Sequence, residues 1–341
     1  MIDDALEMHV PRKGPADVFT VIERRLPPPA PGEVRVAIEA AGVAYADIMM
    51  RQGMYPGQRL PVTPGYDFVG RVEAIGPGVS GVTAGQRVAG VTVTGSYATR
   101  RNVNAQWLAP APESADAAQL VAAVLNGLTA WQMLHRVASP APGEWVLVHG
   151  AGGGVGSLLL DLARLAGVRA IGTASPSKAD VIRARGGEPI DYHGEDMAAR
   201  TLALSQGGVV AAFDHIGGKH FRNASMATLR PGGIGVLYGG YDLTRDGKVR
   251  PLAIADLLIN SVFSSFRLFQ KGQGVVGYSS PIWRDARPSA YQQDLAAVLN
   301  SVGDGTLSPL VGAIFPLCEA AQAHRALETR SVPGKIVLVT A

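Results

Sequence analysis

A single cysteine, Cys318, stands among 341 residues. One thiol can make neither an intramolecular disulfide nor a cysteine-rich zinc site, and Cys318 reads as a small apolar filler. Charge of one sign is also lacking: 31 Lys and Arg against 28 Asp and Glu leave a net charge of +3. No run of cations interleaved with aromatics occurs, so a nucleic-acid partner is not expected. The mild surplus suits an anionic small molecule instead. Missing too is an uncharged apolar run of membrane-spanning length, since the best candidate, 120–134, has fifteen residues and includes Asn126 and Gln132. The N-terminus carries Asp3, Asp4 and Glu7 and lacks the basic start and apolar core of a signal peptide. The expectation is a cytoplasmic protein without membrane insertion.

What the chain has in quantity is glycine, 42 residues, within a composition 47% hydrophobic and long enough for two domains. The glycines concentrate where Trp145-Val146-Leu147-Val148-His149 runs into Gly150-Ala151-Gly152-Gly153-Gly154-Val155-Gly156. A short β-branched apolar run reads as a buried parallel strand, and the glycines read as a tight turn into a helix. That helix carries Leu158, Leu159, Leu162 and Leu165 at helical spacing and closes at Gly167. Glycines are wanted because the unpaired amides at a helix start attract phosphate, which approaches the backbone only where no side chain intervenes. The match to G-x-G-x-x-G is imperfect, Gly156 following Gly154 by two residues rather than three. The next apolar run, 168–171, has the place of a second strand. An NAD site usually sets an acid at the end of that strand to hold the ribose hydroxyls. Here the end reads Gly172-Thr173-Ala174-Ser175-Pro176-Ser177-Lys178, with no acid before Asp180. NADPH is therefore favoured over NADH, the alternative being a solvated loop whose Lys178 faces water.

Residues 1–110 alternate short strand patterns (33–40, 70–76, 86–91) with Gly and Pro breakers and read as an all-β module. A helical stretch follows over 116–133. Beyond the glycine loop, 209–213 and 235–238 look like further parallel strands, with Asp214-His215-Ile216-Gly217-Gly218 and Gly239-Gly240 at their C-terminal ends, where ligands lie in an open α/β sheet. The aromatic stretch 242–280 could wall a pocket, cover a dimer surface or simply pack, and packing is the reading taken. Helix, strand, helix and strand are expected over 290–300, 312–315, 319–329 and 335–339.

These motifs resemble the medium-chain dehydrogenase/reductase superfamily, in its zinc-free quinone oxidoreductase branch. The likeness covers nearly the whole chain. It rests on 42–56, on Pro64-Gly65-Tyr66-Asp67-Phe68-Val69-Gly70, on Thr129-Ala130 and the glycine loop, and on Gly172-Thr173, Ile190-Asp191-Tyr192 and Gly334-Lys335-Ile336-Val337-Leu338-Val339. The region 242–280 is similar to the sub-branch of the vesicle amine transport protein homologues. The resemblance implies an α/β fold. A GroES-like β-rich catalytic domain (1–127 and 279–341) would flank a Rossmann NADPH-binding domain with a doubly wound parallel sheet (128–278), the cofactor lying in a cleft at their junction. Zinc-dependent relatives use a Cys and a Gly-His-Glu turn where this chain has Ala44-Tyr45 and Gly65-Tyr66-Asp67, so no metal is expected.

Hydride transfer from NADPH to a quinone or an α,β-unsaturated carbonyl is the implied chemistry, with a small electrophile as partner and a homodimer as the family's usual state. Tyr55 matches a proton donor of related enoyl-thioester reductases, and its other reading is a loop tyrosine packed by Pro56. Tyr45 is the second candidate. Asp47 is expected to fix the loop by hydrogen bonds. Ala44, Met49 and Tyr66 would line the pocket, Ala44 standing for the branch's usual Asn and Met49 for its tyrosine. For the cofactor the resemblance implies Gly152, Gly153, Gly154 and Val155 at the phosphates and Lys178 and Tyr192 at the 2′-phosphate, with Ser175 nearby. Thr129 would serve the nicotinamide-side ribose, with Gly239, and Arg330 the phosphate region. His149 reads as a buried, hydrogen-bonded structural residue. Two alternatives stay open: reduction of an enoyl thioester or a biosynthetic intermediate, and a non-catalytic NADPH-binding redox sensor or structural protein.

Overall fold

A computed structural model describes residues 4–240, 243–245, 248–329 and 332–340. The chain divides into two compact units, 1–128 with 280–341, and 129–279.

In the first unit, alternating apolar positions along Glu33–Val43, Asp67–Ile75 and Arg87–Val91 fold into a mostly antiparallel sheet. Its order runs Val311–Pro316, Lys335–Val339, Glu33–Val43, Asp67–Ile75, Arg87–Val91, Leu108–Pro110, with Arg100–Asn104 also on Glu33–Val43. Val34, Val36, Ile38, Phe68, Val72, Val88, Ile336 and Leu338 form its core. Each such side chain, removed from water, contributes about 1.5–3 kcal/mol. Residues from both ends of the chain thus share one hydrophobic interior. A short helix, Tyr45–Arg51, interrupts the expected all-β stretch. Asp47 explains it, because its Oδ2 accepts the Ala44 N–H at 2.8 Å and satisfies a donor at the helix start. Cys318 is exposed, not the apolar filler expected; its neighbour Leu317 takes the buried position in the turn Leu317–Glu319.

The second unit holds a parallel sheet ordered Gly187–Asp191, Arg169–Ala174, Trp145–His149, Val209–Asp214, Leu229–Leu237, Gly274–Gly277. Numbered along the chain that order is 3-2-1-4-5-6, the doubly wound arrangement, and its direction switches between Trp145–His149 and Val209–Asp214. Leu147, Ile171, Ile190, Val209, Ala212 and Phe221 fill the core. The second strand reaches Ala174, beyond the apolar run 168–171, because Gly172 and Thr173 continue its pairing with Val148 and His149.

The aromatic stretch corrects the expectation of packing. It forms the helices Pro251–Asn260 and Ser265–Lys271, on which Leu252 (85%), Leu258, Ile259, Phe266 and Phe269 (80%) are exposed. Among the described residues one straight helix, Ala117–Ala138, is long and apolar enough to cross a membrane, and 78% of its apolar window is buried. Such burial marks the core helix of a globular chain.

Candidate functional site

The glycine loop sits at the switch point of the parallel sheet. Trp145–His149 ends, Gly150 turns with φ +65°, and the helix Gly154–Leu165 begins. Gly153 is the N-cap and has no side chain to cap the helix, so the first amides of that helix are left to a ligand. Gly156 cannot be anything larger: a Cβ there would sit 2.5 Å from the Gly150 carbonyl oxygen and 2.6 Å from Ala151 Cα. Gly152 faces the stem of Lys178, whose Cβ would lie 2.8 Å from an added methyl. Gly154 and Val155 open the helix itself.

Lys178 ends the turn Pro176–Lys178, and Ser175 caps that turn, its hydroxyl 3.1 Å from that of Ser177. The structure therefore brings together Gly152, Gly153, Gly154, Val155, Ser175 and Lys178 at the ends of two adjacent strands. Tyr192 joins from the end of Gly187–Asp191, its N–H donating to the Ala174 carbonyl at 3.4 Å and its ring exposed. Gly239 follows Leu229–Leu237, with the His215 carbonyl 2.9 Å from where a Cβ would be. Thr129 is buried within the helix Ala117–Trp131. Arg330 lies outside the described residues.

His149 is fully buried, as expected, and its Nδ1 lies 3.0 Å from Thr173 Oγ1. Burial pushes its pKa down to about 3. Asp214 closes the neighbouring strand. Burial alone would raise its carboxyl, but hydrogen bonds from His220 (2.8 Å) and Ser225 (2.6 Å) and the nearby His149 carry it well below the usual range.

In the first unit the structure brings together Tyr55 and Tyr66. Their hydroxyls are 2.9 Å apart and their rings meet edge to face. Tyr66 is buried just ahead of Asp67–Ile75, and Ser280 is its second hydrogen-bond partner. Burial raises both phenols' pKa values, Tyr66 the further, helped by the adjacent Tyr55, so both remain protonated donors at neutral pH. Ala44, Tyr45 and Met49 lie half-buried at and along the helix Tyr45–Arg51. Asp47 is fully buried and fixes the loop: it accepts Ala44 N–H, Gly65 N–H at 2.9 Å and the Tyr97 hydroxyl at 3.3 Å.

The donor set does not fit a catalytic zinc. Where metal ligands would stand there is a methyl at Ala44 and a phenol at Tyr66 engaged with Tyr55. Asp67 pairs through both oxygens with Lys335 Nζ at 3.2 Å. Tetrahedral zinc needs thiolate, imidazole or carboxylate ligands converging on one point. The Asp67–Lys335 pair went unread in the sequence because its partners are 268 residues apart. The same holds for Tyr97 and His324, whose side chains meet at 3.1 Å beside Asp47.

Comparison with known proteins matches residues 30–113 to the alcohol dehydrogenase GroES-like domain and 186–338 to the zinc-binding dehydrogenase family. The chain is 32% identical over 317 residues to the synaptic vesicle membrane protein VAT-1 homolog of Rattus norvegicus, covering 92% of this chain and 78% of that one. It is also 32% identical to a probable quinone oxidoreductase of Schizosaccharomyces pombe, over 98% of this chain and 97% of that one. A 2-haloacrylate reductase of Burkholderia sp shares 32% identity, over 96% and 97%. Among solved structures, a mycobacterial protein complexed with NADPH superposes with a TM-score of 0.83 at 30% identity, over 98% of this chain and 99% of that one.

Proposed function

The chain belongs to the medium-chain dehydrogenase/reductase superfamily, in its quinone oxidoreductase branch, and from that premise we propose that it is an NADPH-dependent, zinc-independent reductase of quinones or α,β-unsaturated carbonyls. The single observation that carries this reading is the hydroxyl pair of Tyr55 and Tyr66, two protonated phenols of which Tyr66 stands where a Lewis acid's ligand would be. Bound NADPH supplies the hydride. The chain's residues do the rest. The amides at the start of Gly154–Leu165 take the diphosphate, and Lys178, with Tyr192 and Ser175, takes the 2′-phosphate. Thr129 and Gly239 would complete the cofactor's contacts.

When an acceptor gains hydride at its β-carbon, negative charge develops on its carbonyl oxygen, and Tyr55 donates its proton there, with Tyr45 the second candidate donor. Tyr66 then donates to the Tyr55 oxygen. One aimed donor of this kind is worth about 3 kcal/mol of barrier. Ala44, Met49 and Tyr66 shape an apolar pocket for a small electrophile. The reading includes a homodimer acting in the cytoplasm, and the exposed apolar helices of 251–271 support the dimer.

NADPH oxidation by the purified chain with 9,10-phenanthrenequinone, 1,4-benzoquinone and 2-alkenals tests the reading. Tight NADPH binding with no oxidation by any acceptor would instead establish a binding protein without turnover. The cofactor choice has its own check: Lys178→Ala is expected to weaken NADPH at least ten times more than NADH in a fluorescence titration, and equal losses refute the phosphate role.

A further inference from the structure

One buried nitrogen at the switch point has no partner. His149 is 0% exposed, its Nδ1 is engaged with Thr173 Oγ1, and its Nε2 has no hydrogen-bond partner. In the tautomer whose Nδ1–H donates to the threonine oxygen, Nε2 carries a bare lone pair. An orphaned acceptor in the interior costs roughly 1–3 kcal/mol. Two further donors face it. Asp214 is fully buried, His220 is one-fifth exposed, and the rings of His149 and His220 meet edge to face at 4.4 Å.

One ligand atom from each of His149, Asp214 and His220 falls within 4.8 Å of the other two. Three ligands held by a tetrahedral ion at about 2.0–2.1 Å are roughly 3.3 Å apart, and His220 Nδ1 already stands 2.8 Å from Asp214 Oδ2. A small movement of the partly exposed His220 closes the remainder.

We propose that His149 Nε2, His220 Nδ1 and Asp214 Oδ2 form a binding site for a divalent cation of borderline softness, the class of zinc, cobalt and nickel. Imidazole nitrogens with one carboxylate select that class over magnesium or calcium. The ion takes the place of the hydrogen between His220 and Asp214, and the displaced proton moves to Nε2 of His220. The outer shell is in place. Thr173 orients His149. Ser225 Oγ donates to Asp214 Oδ2 at 2.6 Å, while the N–H groups of Ile216 and Gly217 hold Asp214 Oδ1 at 2.6 and 2.9 Å. Such partners tune a metal site as much as its ligands do. The ion would tie the end of Trp145–His149 to the end of Val209–Asp214 directly beneath the glycine loop. The proposal is independent of the reductase reading, since its ligands are none of the residues assigned to hydride transfer.

The test is titration of the tag-free, chelator-treated full chain with cobalt(II), followed by zinc competition. One cobalt per chain with the intense visible bands of four-coordinate cobalt, displaced by zinc, is the expected result. His220→Ala, at a partly exposed ring, should abolish those bands in a chain that still unfolds cooperatively. Ser225→Ala should weaken binding about 10- to 100-fold, and His193→Ala, an exposed histidine elsewhere on the unit, should change nothing. Pale six-coordinate spectra, or wild-type affinity in both His220→Ala and Ser225→Ala, overturn the proposal. The Ser225 variant keeps the test decisive should His220→Ala not fold.

Discussion

Asp47 is a carboxyl that the fold prefers protonated. Complete burial pushes its pKa up to about 7, against the hydrogen bonds it accepts from Ala44 and Gly65. The unfolded carboxyl titrates near 4. Between about pH 4 and 7 the folded chain holds a proton the unfolded chain has lost, so Asp47 makes stability fall as pH rises through that window and then level off. Urea unfolding at pH 5 and pH 8 should show a flatter dependence in Asp47→Asn than in the parent. The variant is expected to be less stable at both pH values, because an amide NH2 would meet a backbone N–H. Tyr55 makes a different prediction. Tyr55→Phe removes the donor and leaves the ring, so enone reduction should slow by about 100-fold, the equivalent of ~3 kcal/mol, with NADPH affinity unchanged. Unaltered enone rates would take Tyr55 out of the mechanism. Quinone reduction should respond less, since a reduced quinone takes its protons readily from water.

At the scale of the element, the glycine loop is a demanding piece of backbone. Gly156→Ala would drive a methyl into the Gly150 carbonyl and the Ala151 Cα. Overpacking of that kind costs about 1–3 kcal/mol, and thermal unfolding should register it together with a loss of nucleotide affinity. Gly153→Ala meets only the Gly150 oxygen at 3.2 Å and should fold nearly as well as the parent. This loop was legible from sequence because strand, turn and helix are contiguous and each declares itself by composition. Four of the six parallel strands were legible for the same reason, whereas Gly187–Asp191 and Gly274–Gly277, short edge strands with little apolar run, were not. The helix Tyr45–Arg51 was not, because its start depends on one carboxylate folding back onto Ala44. Nor was the hydroxyl bond between Tyr55 and Tyr66, which needs a loop and a strand end to converge. The exposure of Leu252 and Phe269 was hidden too, because apolar composition marks a surface that wants covering without saying whether the chain itself covers it.

Across the whole molecule, that uncovered surface has a measurable consequence. Leu258, Ile259, Phe266 and Phe269 stand exposed on one unit, and Gly274–Gly277 ends its sheet with one edge unpaired. Large apolar side chains exposed together on neighbouring helices usually mark an interaction surface. A dimer is expected by light scattering, and Phe269→Glu with Leu258→Glu should shift it to monomer with the fold retained. A parent that is monomeric at every concentration would dismiss the dimer. The sheet of the other unit has a separate implication for how the protein is made. Lys335–Val339 is an inner strand, between Val311–Pro316 and Glu33–Val43, and Lys335 also neutralises the buried Asp67. A ribosome delivers that strand only after residues 129–279. Residues 129–279 have all their sheet partners as soon as they emerge, whereas the opening third must wait for its missing centre with an uncompensated carboxylate inside. Domains generally fold as units during synthesis; here residues 33–110 would settle after residues 129–279 although they are made before them, and they are the stretch a chaperone would find open.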